Sequence, residues 1–425
     1  MKGDYSMSVV RRLVLTGSHW LLMLLGGLGS AAPVWAAQVD VTAKYYPVSH
    51  DKYNFYNTTR PSRFCELLYL RCRDDKLFSA DVNIVLTSTG EIRADHAIER
   101  QGVMFKVPAS WKTIEVRNTQ TGESHTLKAR IAGFGFKSET EDVRKLVGMP
   151  VGSDPSGEKS YQALWSGGSF DTAPRPCEGV RVSLNSPEYF NFVWMTPVDG
   201  VCAKKANFNI PRIDFKEMQI VYQWESPDPW GMASGTYVGA LTYTLGAGGE
   251  FDVGDILAPS ENALTLKFTL DVEHVLNVYL PPGGNRVELV PEGGWQRWLQ
   301  NPAHIPKRLF RDQTFHISAS GRFGMRLICS NMYGEWCAIR NENNHSIPVA
   351  VDVSLPSGMV DSEGRPVVRQ ALRNDRGVKF QLGDYVDHKP GTLHFETNRL
   401  VDEMLREHAG STYSGTITVV WDSEV

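Results

Sequence analysis

The 425 residues contain no Gly-x-Ser-x-Gly turn, no Cys-x-x-Cys or His-x-x-x-His spacing, and no complete glycine-rich nucleotide loop. The first absence removes support for a nucleophile-elbow hydrolase. Gly133-Phe134-Gly135-Phe136 lacks the third glycine and the helix of a dinucleotide loop. His394 and His408, with Glu396, Glu403 and Glu407, do not make a zinc-protease pattern. No catalytic residue, metal ligand or cofactor follows from the sequence. Charge of one sign is also missing. With 44 basic residues against 48 acidic ones, bulk electrostatics point to neither nucleic acid nor an anionic membrane. The paired carboxylates of a glycosidase leave no motif. A secreted carbohydrate-active enzyme with a β-sandwich accessory domain is therefore the alternative function to weigh.

Long apolar runs are absent beyond the N-terminus. There, Lys2, Arg11 and Arg12 precede a glycine-broken apolar stretch from Leu13 to Leu28, and Val34-Trp35-Ala36 fits a signal-peptidase site. Residues 1–36 are expected to be a signal peptide, with an exported chain starting at Ala37 or Gln38. Six cysteines suit an oxidising compartment. They fall as three local pairs, Cys65/Cys72, Cys177/Cys202 and Cys329/Cys337, although six cysteines allow about 15 connectivities. Neighbour pairing is the expectation, each bridge stabilising by roughly 2–4 kcal/mol.

What the chain has is alternation. Ala80–Leu86, Val103–Val107, Thr113–Arg117 and Met218–Trp224 alternate apolar with polar residues, as half-buried strands do. The pattern restarts at Ala263–Leu270, Val275–Leu280, Val287–Val290, Phe315–Ser318, Met325–Cys329 and Pro348–Val353. Gly148–Arg175 reads as a long loop, and Thr397–His408 as the one helix. Gly246-Ala247-Gly248-Gly249, followed by Gly254 and Pro259, has the composition of a junction. The expected division is an N-terminal β-domain over 37–249, a linker over 250–262 and a C-terminal domain over 263–425.

Thr236-Tyr237-Val238-Gly239-Ala240-Leu241-Thr242-Tyr243 recurs as Thr412-Tyr413-Ser414-Gly415-Thr416-Ile417-Thr418-Val419. Two halves that close on one strand pattern read as tandem all-β domains. Only Val420 to Val425 follow the second copy. The expectation is that its last strand keeps an open edge, with Ile417, Val419 and Trp421 facing one way.

The second half resembles the minor subunits of CFA/I-type (class 5, alternate chaperone–usher) pili, including the CblD-like pilus biogenesis initiators. The resemblance rests on Phe268-Thr269-Leu270 through Val278-Tyr279-Leu280-Pro281, on Val287 to Pro291, on the strand ending at Cys329 and on Tyr413 to Val419. It implies a tip adhesin or initiator with two tandem immunoglobulin-like β-sandwiches, the C-terminal one an incomplete pilin fold awaiting a donor strand. The implied partners are a periplasmic pilus chaperone, an outer-membrane usher, a major pilin that donates the strand, and a host-cell glycan or glycoprotein receptor. The implied location is the pilus tip at the cell surface, reached through the periplasm. A pilus chaperone is a poorer fit, since a chaperone supplies a strand rather than lacking one. The acceptor groove is expected between Leu264, Leu266, Phe268 and Leu270 on one strand and Ile417, Val419 and Trp421 on the other.

Arg60, Arg63, Arg71 and Arg73 surround the Cys65/Cys72 pair, a positive patch suited to a carboxylate or sulfate of a glycan. The plainer reading is a solvated loop partly neutralised by Glu66, Asp74 and Asp75. Tyr45, Tyr46, Tyr53, Phe55 and Tyr56 could stack on sugars or fill a core. Leu245 to Glu250 carries no cation, unlike some adhesins of this family, so no receptor is named.

Overall fold

The computed structural model describes residues 36–47, 54–150, 152–180, 184–300 and 305–423. The expected signal peptide lies outside them apart from Ala36, as does Tyr53. The fold is all-β: two sandwiches built on sheets whose strands alternate buried and exposed side chains. In Ala36–Tyr45, for example, Val39, Val41, Ala43 and Tyr45 are buried and the residues between them are not.

The spine of the first sandwich is the antiparallel pairing of Ser124–Thr140 with Ile213–Glu225. Beyond it the sheet continues through Lys112–Asn118, Gly235–Thr244, Ala263–Val272 and Ala36–Tyr45. Aromatics fill the core: Phe105 packs on Phe134 with ring centroids 4.9 Å apart, and Phe170 stacks on Phe192 at 4.5 Å. Residues 131–136 are buried without alternation because both faces of the sheet are covered there. The outer cover is two short helices, Arg63–Leu67 and Tyr69–Asp74, packed on Ala132, Val193 and Val221.

The second sandwich faces two sheets across one core. One runs in the order Leu276–Tyr279, Leu309–Ala319, Val386–Thr397, Ser346–Ser354, Trp336–Arg340. The other runs Met359–Asp361, Val378–Leu382, Phe323–Cys329, Ile417–Asp422. Phe315, Phe323, Phe380, Val351 and Val353 are its buried centre. The disulfides are the three neighbour pairs, Cys65–Cys72, Cys177–Cys202 and Cys329–Cys337.

The structure corrects five expectations. Ala263–Val272 belongs to the first sheet, paired in parallel with Ala36–Tyr45 and antiparallel with Gly235–Thr244. A ten-residue strand with neighbours on both sides buries Leu264, Leu266, Phe268 and Leu270 completely, in the first core. The expected linker 250–262 is packed rather than slack. Phe251 meets Phe134 at 5.8 Å, and the Arg100 guanidinium bridges Asp252 and Asp255, each at 2.7 Å. The expected helix shrinks to Val401–Arg406, because Thr397 still ends a strand and Leu400 takes a left-handed φ of 60°. Val287–Val290 forms no strand beyond a single bridge from Val290 to Phe310, and the expected loop 148–175 contains the helix Glu158–Leu164.

Candidate functional site

The edge strands Leu276–Tyr279 and Ile417–Asp422 belong to opposite sheets of the second sandwich, and each has a strand partner on one side only. Between them lies a groove of about 420 Å³. Val278, Leu280, Val287 and Leu289 form one wall; Ile417, Val419 and Trp421 form the other; Phe315, Val349, Leu393 and Phe395 lie between. Trp421 packs edge-on against Phe315 at 5.0 Å, anchoring its wall to the core. Ile417, Val419 and Trp421 are only half-buried, although their pattern is that of an inward face.

The first sandwich has the same slot, and there it is filled. Ala263–Val272 lies between Ala36–Tyr45 and the closing strand Gly235–Thr244, and Tyr237 and Tyr243 on that closing strand are fully buried. So Leu264, Leu266, Phe268 and Leu270 do not border the groove with Ile417, Val419 and Trp421. They fill the corresponding slot of the other sandwich. Among the described residues no segment fills the second slot.

The sequence repeat has a structural basis at its glycine. A Cβ added to Gly239 would sit 2.5 Å from the Glu115 carbonyl oxygen, and one added to Gly415 would sit 2.8 Å from that of Ala338. In each copy the closing strand approaches a neighbouring backbone too closely for a side chain. Gly239→Ala is expected to lower stability by about 1–3 kcal/mol, the usual cost of overpacking, and urea unfolding measures it.

A polar clasp joins the two sandwiches. Glu123 accepts hydrogen bonds from Tyr237 Oη (3.0 Å) and the Ala233 N–H (3.2 Å), and its other carboxylate oxygen contacts His125 Nε2 (3.0 Å) and Arg322 Nη2 (3.1 Å). Next to it, His274 Nε2 lies 2.9 Å from the Met232 carbonyl and Nδ1 lies 3.2 Å from Ser320 Oγ. Burial opposes ionisation of Glu123, but its hydrogen-bond donors and the Arg322 charge win and hold the carboxyl below its ordinary 4.5. A depressed carboxylate pKa contributes stability that is present above pH 4.5 and is lost as pH falls through the native value. Glu123→Gln should flatten that acid limb in thermal melts recorded between pH 3 and 7, a range of about that width bracketing the shift.

Arg60, Arg63, Arg71 and Arg73 are all exposed on or beside the disulfide-linked helix pair, and Cys65 and Cys72 are buried under it. Arg71 pairs with Asp75 at 3.5 Å and Arg73 with Asp74 at 2.8 Å, on a helix pair where a loop was expected. Tyr45 is core, Phe55 packs against it at 6.0 Å, and Tyr46 and Tyr56 are exposed.

Sequence spacing missed two constellations assembled from segments distant along the chain. Ser354 Oγ lies 2.8 Å from His394 Nε2, and His394 Nδ1 lies 2.7 Å from Asp312 Oδ1. These residues sit on three adjacent strands of one sheet. The serine oxygen also accepts the Arg369 N–H (3.0 Å), and none of the described cavities is lined by the three residues, so the chain of bonds reads as a cross-strand tie. The second is His345, Glu403 and His408, the group among the described residues whose donor atoms approach closely enough for a metal ion. His345 is 58 residues from Glu403, so no local motif could have revealed it.

No known family's profile matches the chain, and no curated protein matches it. Three solved structures overlay most of its length. The first belongs to a study describing a chaperone–tip adhesin complex as vital for synergistic activation of CFA/I fimbriae biogenesis; it is 10% identical, with 91% of this chain and 96% of that chain covered, at a TM-score of 0.24. A mutant of the CFA/I adhesin CfaE from enterotoxigenic E. coli is 9% identical, with 91% and 92% covered, at 0.23. The CsuC–CsuE chaperone–tip subunit pre-assembly complex, from the archaic chaperone–usher Csu pili of Acinetobacter baumannii, is 8% identical, with 92% and 99% covered, at 0.21. Overlays this loose carry no weight beside the groove itself.

Proposed function

We propose that this protein is a tip subunit of a chaperone–usher pilus, an adhesin or initiator whose second sandwich is completed by a strand from another polypeptide. The observation that carries the reading is the apolar groove between Leu276–Tyr279 and Ile417–Asp422, whose counterpart in the first sandwich is filled by Ala263–Val272. The filled slot supplies the template for the empty one. Its occupant runs antiparallel to the closing strand and parallel to the strand on the far side. A donor copying it would run antiparallel to Ile417–Asp422 and drive alternate apolar side chains toward Phe315, Leu393 and Phe395. The resemblance to CFA/I-type minor subunits assigns this role first to a periplasmic chaperone and then, at the outer-membrane usher, to the next pilin. The first sandwich then carries the receptor surface at the cell exterior, with Arg60, Arg63, Arg71 and Arg73 as its positive face for an acidic glycan or glycoprotein.

The test is expression in the periplasm with and without a co-expressed pilus chaperone. A one-to-one complex is expected, disrupted by Val419→Arg, which places a charge in the groove wall. A lone monomer whose Ile417–Asp422 amides are all protected from hydrogen exchange would overturn the proposal.

A further inference from the structure

His345 is presented by the turn between Trp336–Arg340 and Ser346–Ser354, Glu403 lies on the helix Val401–Arg406, and His408 follows two residues beyond that helix. Their donor atoms all lie within 4.8 Å of one another. The two imidazoles stack with centroids 4.0 Å apart and planes inclined by 18°. His345 Nε2 is 3.1 Å from Glu403 Oε1, and its Nδ1 is 2.6 Å from Tyr413 Oη.

We propose that His345, Glu403 and His408 bind a Zn2+ ion, with water in the fourth position and Tyr413 orienting His345. Two imidazoles and one carboxylate form a donor set that zinc takes with a position left open. Metal–ligand bonds of about 2.0–2.1 Å in a tetrahedron place ligand atoms roughly 3.4 Å apart, against the 4.8 Å within which the donor atoms lie here. The second layer is in place. With Nε2 on the metal, Nδ1 carries the proton and donates it to the Tyr413 oxygen, which fixes the ring's tautomer. The turn is built in advance. Asn341 Oδ1 accepts the N–H groups of Asn343 (3.0 Å) and His345 (2.8 Å), and Asn344 takes a left-handed φ of 65°. All three ligands are half-buried, so an ion can enter from solvent while losing part of its hydration to protein donors. The ion would join the 341–345 turn to the segment 403–413, which leads directly into groove-lining Gly415 and the strand Ile417–Asp422. It would staple the chain that enters the groove wall. The site does not depend on what occupies the groove.

The experiment titrates Zn2+ into the chelator-treated, untagged full-length chain by calorimetry and repeats the titration with Co2+, recording its visible absorption. One saturable Zn2+ per chain, the intense visible bands of four-coordinate cobalt and a raised melting temperature are expected. His408→Gln and Glu403→Gln should each abolish these signals, and Tyr413→Phe should weaken binding by roughly tenfold or more. His388→Gln, at a stacked histidine pair elsewhere, should change nothing. Because His345 is wired into its turn, the half-buried helix position Glu403 supplies the variant that keeps its fold, checked by circular dichroism. Absence of saturable Zn2+ binding in the unsubstituted chain, or binding that survives in both His408→Gln and Glu403→Gln, overturns the assignment.

Discussion

A ten-residue peptide with large apolar side chains at alternate positions is expected to bind the second sandwich and raise its melting temperature. Such a peptide imitates the pattern of Leu264, Leu266, Phe268 and Leu270, which already fills the equivalent slot of the first sandwich. Each apolar side chain moved from water into the groove contributes about 1.5–3 kcal/mol, set against the ordering of the peptide. At a hundredfold excess over its dissociation constant the peptide stabilises by about 2.7 kcal/mol, or roughly 5–10 °C for a sandwich of this size. Hydrogen exchange should slow at the Ile417–Asp422 amides that point away from Phe323–Cys329. Trp421→Ala should remove most of the effect, because Trp421 joins the groove wall to Phe315 and Phe323. A permuted peptide with the same composition but no alternation should do nothing, since a one-residue slip turns its apolar face outward. Equal stabilisation by both peptides would mean that the groove binds apolar residues without accepting a strand.

Phe268→Ala is expected to destabilise the first sandwich by about 3–5 kcal/mol while leaving the affinity for that peptide unchanged. Phe268 is fully buried beneath a strand paired on both sides, with Trp224 at 6.4 Å, and the surrounding sheet cannot collapse into the space left behind. Chemical denaturation measures the first effect and peptide titration the second. The pair of results separates two assignments of one strand. Were Ala263–Val272 a wall of the groove, Phe268→Ala would weaken peptide binding; as the filling of the other slot, it weakens the fold. Loss of peptide affinity in a variant that keeps its stability would contradict the register described above.

Much of the strand content was legible because alternation is local. Ile417, Val419 and Trp421 share a face by their spacing alone, and the neighbouring cysteines lie close enough along the chain to meet. Helices were the poorest reading. Arg63–Leu67 and Tyr69–Asp74 are held by a disulfide and by burial against Ala132, Val193 and Val221 rather than by their own periodicity. The packed stretch 250–262 misled for a similar reason: glycines that allow flexibility also allow the tight turns that seat Phe251 and Asp252.

By itself the sequence determined that the chain forms strands, which face of each turns inward, and that two closing strands repeat. Tertiary structure alone decided that Ala263–Val272 completes the first sandwich, that the second keeps an apolar slot among the described residues, and that His345 stands against Glu403 and His408. The physical reason is that a two-residue period states that a face is buried but not against what. The partner is chosen by pairing across long stretches of chain, where hydrogen bonds and packing compete globally.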